Sequence, residues 1–154
     1  MANVDYPNGF RAVQPQGQTL PMYTYMTKSN LSLHAGDAVQ MLSNGTIDLA
    51  GAADETVLGV CQNNITAIAA TQQKVLVVPA LPSIVFSGQC SGTYTPVNAG
   101  ESVDIEGTTG IQEINEDAQA TGVARIVGLE LGEGNAVGAN ARVLFTWAKS
   151  QFTP

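Results

Sequence analysis

The chain is poor in the residues that do chemistry. It has one histidine (His34), two cysteines (Cys61 and Cys90) and six lysines or arginines in 154 residues. Phosphate binding is carried by clustered Lys and Arg, and here Arg11, Lys28, Lys74, Arg125, Arg142 and Lys149 stand singly. Against them are 13 Asp and Glu, for a net charge of −7. Neither nucleic acid nor an anionic membrane surface is therefore an expected partner. Two thiols and one imidazole do not make a four-ligand zinc site in any familiar spacing. No metal and no other cofactor is expected. Cys61 and Cys90 read as two small buried apolar residues, although a disulfide between them stays open.

Long hydrophobic runs are also missing. No 18-residue apolar stretch occurs, and "MANVDYPNGFRAVQPQ" lacks the apolar segment of a secretory signal. The expectation is a soluble chain made in the cytoplasm, whose sequons at Asn30, Asn44 and Asn64 receive no glycan. Charged residues are only 12% of the chain, about half the usual share. Such a surface relies on Ser, Thr, Asn, Gln and Gly for solubility, or is covered by partners.

β-Structure is abundant. "MYTYM" (22–26) alternates large apolar residues with Thr. Gly36-Asp37 opens a strand over Ala38 to Leu42, Asn44-Gly45 gives a hairpin turn, and Thr46 to Leu49 returns antiparallel. "TVLGVCQNN" is the next strand. "KVLVV" (74–78) is a short apolar run suited to burial on both faces. "SIVFSGQC", "ESVDI", "GVARIVGLEL" and "ARVLFTW" follow, and in the last Val143, Phe145 and Trp147 recur with a period of two. Helix signal is confined to 110–120, enough for a turn or two. The fold class predicted is all-β: a single barrel or tulip-like domain over 21–154, preceded by an extended arm over 1–20. The arm is set apart by Pro7, Pro15 and Pro21, which fix φ and remove donors.

Candidate catalytic sets are weak. "GEGNAVGAN" (132–140) places Val137 where a dinucleotide fingerprint needs glycine, and a strand follows rather than a helix, so it reads as a hairpin loop. His34 with Asp37 and Ser29 or Ser32 lacks the strained elbow of a catalytic serine and reads as a surface turn. Glu106, Glu113, Glu116 and Asp117 do not have calcium-loop spacing and read as a solvated acidic loop. Trp147 reads as core or interface packing. No catalytic residue is assigned. The candidate contact residues are in the arm: Tyr6, Phe10, Val13 and the cation Arg11, of types enriched at binding hot spots. Deleting residues 2 to 16 is expected to leave the domain folded and to weaken docking.

The order of these segments resembles the head decoration (cement) proteins of tailed bacteriophages. A short polar arm, "MANVDYPNGFRAVQP", is followed by a "GD-V" strand entry in "AGDAVQML". Then come an "LGV" segment in "ETVLGVCQNN", the stretch "SIVFSGQCSGTYTPVNAGESVDI", and "VARIVGLELGEGNAVGANARVLFTW" with its Gly-Asn loop. The resemblance covers nearly the whole chain. It implies a non-enzymatic virion protein on the capsid exterior, made in the host cytoplasm. It further implies a homotrimer at three-fold or quasi-three-fold sites with the major capsid protein as partner. A receptor- or carbohydrate-binding β module on a virion surface is the alternative. It needs clustered exposed aromatics, and the chain has four Phe, four Tyr and one Trp spread along it. A small trimeric β enzyme would need a base and nucleophile that the sequence does not supply.

Overall fold

A computed structural model describes residues 3–13, 17–54 and 56–152. The protein is all-β. Its strands are β1 (Arg11–Val13), β2 (Tyr23–Met26), β3 (Ala38–Met41), β4 (Ile47–Leu49), β5 (Gly59–Cys61), β6 (Lys74–Pro79), β7 (Val85–Gln89), β8 (Thr93–Tyr94), β9 (Ser102–Glu106), β10 (Glu113–Asn115), β11 (Ala124–Leu129), β12 (Gly138–Ala139) and β13 (Arg142–Trp147). The helical element among the described residues is a single 3-10 turn, Pro96–Asn98.

Two main antiparallel sheets form, ordered β1-β7-β13-β11-β9-β10 and β2-β6-β5-β3-β4, with β8 and β12 as a separate pair. Each curls until its ends approach. In the six-stranded sheet, Cys90, just past β7, makes a parallel bridge to Ile114 in β10. In the five-stranded sheet, Thr27, just past β2, bridges Ile47 in β4. These are single bridges rather than ladders. Among the described residues no continuous closed barrel forms.

The pattern of side chains explains the layering. Along β13 Val143, Phe145 and Trp147 are buried while Arg142, Leu144 and Thr146 are half-buried, the expected two-residue alternation. With Phe10, Phe86, Val103, Ile105, Ile114 and Ile126 they make the larger core. Across the middle of the five-stranded sheet, Ala38, Val60 and Val78 are register partners and face that same core. Their neighbours Val39, Cys61 and Val77 face a second core, filled out by Leu31, Leu33, Ile47, Leu58 and Ile65. The sheet is thus covered on both sides at its centre. At its β2 side the cover runs out: Leu76, in the run expected to be buried on both faces, is 42% exposed.

Two expectations need correction. The 110–120 segment is not helical but contains β10. Gln112, Ile114 and Glu116 are buried while Glu113 and Asn115 are half-buried, so it has strand periodicity. The inward positions on either side of Ile114 are polar, which hides that period. The second correction concerns the arm over 1–20. Its Arg11–Val13 stretch is an edge strand paired to β7, with Ala12 opposite Phe86. Just before it, the Phe10 N–H donates to the Gly36 carbonyl at 2.7 Å. Gly9 has φ +74, and a Cβ there would lie 2.5 Å from the Gly36 oxygen. Backbone packs directly on backbone, which only glycine at that φ permits.

Candidate functional site

The four arm residues do not form one exposed set. Phe10 is 3% exposed. Its ring meets Phe145 edge-on at a centroid distance of 5.4 Å and Trp147 at 5.5 Å. It fits because β7 offers Gly88 beneath it, where a Cβ would come within 2.7 Å of the ring. Phe10 is therefore a core residue and not a partner contact. Its apolar type is as consistent with an inward anchor as with a docking one, and the pairing of β1 turns it inward. Val13 is half-buried opposite Val85.

Tyr6 and Arg11 do face outward. Tyr6 is 70% exposed, with its backbone N–H donating to Gln89 Oε1 at 3.0 Å. The Arg11 guanidinium meets Glu130 at 2.6 Å and keeps 66% of its side chain exposed. Glu130 also accepts from Arg142 at 3.3 Å and from the Ser87 hydroxyl at 2.7 Å. Arg11 is thus pre-positioned above β7 and β13, and an exposed pair of this kind adds little to stability.

Farther toward the N-terminus, Asn3 clasps the 132–140 loop. Its amide nitrogen donates to the Ala136 and Ala139 carbonyls, both at 2.8 Å, and its oxygen accepts from Ala136 N–H at 2.9 Å. Val4 and Tyr6, on the clasped segment, are 77% and 70% exposed, and Val137, within the loop, is 52% exposed. Beside them is an open cleft of about 310 Å³ lined by Asn3, Val4, Tyr6, Glu133 and Arg142. The sequence marks Tyr6 as conspicuous but gives no sign of the Asn3 clasp, because a glycine-rich loop does not show what will lie against it.

Asp37 is fully buried, and its carboxylate accepts from His34 N–H at 2.7 Å, Thr109 hydroxyl at 2.5 Å and Gly110 N–H at 2.7 Å. It ties the entry of β3 to the 108–110 turn, while His34 remains exposed. The expected surface turn is correct for His34 but not for Asp37. The 132–140 stretch is the connection between β11 and β13, as expected for a hairpin loop. Trp147 is core at 2% exposure. The acidic residues at 106–117 are not simply solvated: Glu116 is 2% exposed. Among the described residues, no group of three or more His, Cys, Asp or Glu is arranged to hold a metal ion, and no helix is long and apolar enough to cross a membrane.

Both cysteines are free and buried. Burial pushes the Cys61 thiol up to about 11. Burial, followed by the neighbouring Glu116 carboxylate, pushes Cys90 well above the usual thiol range. Since the thiolate is the nucleophile, an alkylating reagent at neutral pH should modify neither in the native protein and both after denaturation. Mass spectrometry reads this directly, and rapid native modification or a quantitative disulfide would be the contrary result.

In comparison with known proteins, no family model matches the chain and no curated protein sequence does.

Proposed function

We propose that this chain is a non-enzymatic structural protein that decorates and stabilises the outside of a tailed-phage capsid. Three copies sit together at a three-fold or quasi-three-fold site against the major capsid protein. The observation that carries this reading is the fastened N-terminal segment: Val4 and Tyr6 stand 77% and 70% exposed on chain that Asn3 ties to Ala136 and Ala139. A protein with few charges gains by covering such exposed apolar residues, and an aromatic side chain like that of Tyr6 is of the type that dominates interface energies. Arg11, on the same N-terminal segment, supplies a directional charge.

A second exposed group, Met26 and Leu76 with Met22 at the approach to β2, lies on one face of the β2–β6 pair. It gives the domain another apolar surface. Two separate contact surfaces suit a subunit that meets both its own copies and a capsid lattice.

Oligomer state tests the first half of this reading. Light scattering at micromolar concentration should give about 48 kDa, three times the 16.0 kDa chain. A strict monomer at every concentration, both in solution and on particles, is the contrary result.

A further inference from the structure

The bridge that brings the six-stranded sheet back on itself is built among carboxylates. Cys90 bridges Ile114, and Ser91 N–H donates to the Ile114 carbonyl at 2.9 Å. The same short segment is also tied to the β13 side, because Cys90 N–H donates to Ala141 at 2.8 Å and Asn140 N–H donates to Gly92 at 3.0 Å. Glu116, two residues past Ile114, points inward on this seam and is 2% exposed. One of its oxygens accepts a long bond from Gly92 N–H, 3.3 Å. The other, Oε1, is buried with no hydrogen-bond partner. It occupies the place where a side chain at position 92 would begin: a Cβ on Gly92 would lie 2.4 Å from it.

Among the described residues, no cation pairs with this carboxyl. From the segment after β7 it faces the Cys90 thiol, and on its own side Asp117 and Glu113. Asp5, on the N-terminal segment, shares Gln89 Nε2 with Glu113 at 3.0 and 2.9 Å. Glu106 accepts from Asn115 at 2.7 Å. Among the described residues the ion pairs are Arg11 and Arg142 with Glu130, and Lys28 with Asp48. None reaches these five carboxylates. A charged carboxylate buried with an orphan oxygen is costly, and a neutral carboxyl far less so.

We propose that this seam is a proton-operated latch, held shut while Glu116 is neutral and loosened when Glu116 ionises against Glu113 and Asp117. Burial, opposed by its own and Gly92's backbone donors and by the Cys90 thiol, and reinforced by Asp117, raises Glu116 above the usual carboxylate range. Burial likewise raises Glu113, with Asp5, Glu106 and Glu116 adding to it against the Gln89 bond. The native state then holds more protons than the unfolded chain between the ordinary and the raised values. Stability must rise as pH falls through that window and level off below it. Asp104 acts in the opposite sense. Burial opposes its charge, but donors from Gly122, Thr121 and Ala120 outweigh burial and hold it below the usual range. Its stabilisation is present at higher pH and is lost only in stronger acid.

The test is hydrogen exchange at Ser91, corrected for the intrinsic rate, together with melting temperature, from about pH 8 to about pH 5. Wild-type protein should gain Ser91 protection and melt several degrees higher at the acid end. In Glu116→Gln, an uncharged mimic of the protonated side chain, both should be high already at the alkaline end, with the pH slope at least halved. Glu113→Gln should reduce the slope by a smaller amount. Parallel slopes in wild type and Glu116→Gln would overturn the latch. Should Glu116→Gln not fold, the wild type alone decides, because Ser91 protection that does not change over the range overturns it equally.

Discussion

Replacing Phe10 with alanine should destabilise the domain by about 3–5 kcal/mol, the usual cost of deleting a buried aromatic ring. The ring is 3% exposed and touches Phe145 and Trp147 edge-on. The facing strand carries Gly88 at that point, so no side chain stands there to fill the void. In thermal unfolding the loss corresponds to roughly 6–20 °C for a chain of this size. Tyr6→Ala, 70% exposed, should change stability by less than about 0.5 kcal/mol and instead weaken particle binding. The pair separates anchoring from docking. Deleting residues 2 to 16 cannot do so, since it removes Phe10 and β1 together with Tyr6. A Phe10→Ala protein that melts within a degree or two of wild type would show that the N-terminal segment does not belong to the core.

Gln112→Ala should cost about 2–5 kcal/mol, from two buried backbone groups left without partners. Gln112 is fully buried. Its oxygen accepts from the Ala38 N–H at 2.6 Å, and its nitrogen donates to the Ala50 carbonyl at 2.5 Å. One side chain, placed just ahead of β10, thereby satisfies both ends of the β3–β4 hairpin and joins the two sheets. Leucine at this position keeps the bulk but neither bond, so Gln112→Leu should also destabilise. Exposed Gln119 provides the control, with Gln119→Ala near neutral. Denaturant midpoints at constant slope measure all three. An unaltered midpoint in Gln112→Ala would mean that the sheets are held together by the apolar contacts alone.

How legible the fold was depended on which residues face inward. Where inward positions are apolar, as in β13 or the β3–β4 hairpin, the strands could be read from period and turn chemistry. Around β10 the inward Ile114 is flanked by the polar inward residues Gln112 and Glu116, and the same period was invisible. Phe10 was visible as an apolar residue, but its direction depends on the pairing of β1 with β7, a contact between segments more than 70 residues apart. Gly9, Gly36 and Gly88 make that contact possible, and a glycine signals its function only once its neighbour is known. The N-terminal segment was half legible for a similar reason. Tyr6 is conspicuous in polar surroundings, whereas the Asn3 clasp joins Asn3 to Ala136 and Ala139, far along the chain. The seam carboxylates were noticed as a cluster, but nothing local shows that Glu116 is buried. That follows from Gly92 leaving room for it.

The most direct test of the proposed role is imaging of phage particles assembled with and without this chain. The account predicts three-lobed density on the outside of the capsid, at three-fold or quasi-three-fold positions, that disappears when the chain is absent. It should return when wild-type protein or Phe10→Leu is added back, and return at reduced occupancy with Tyr6→Ala. Particles whose exterior is identical with and without the chain, or density for it inside the capsid or on the tail, would contradict the account.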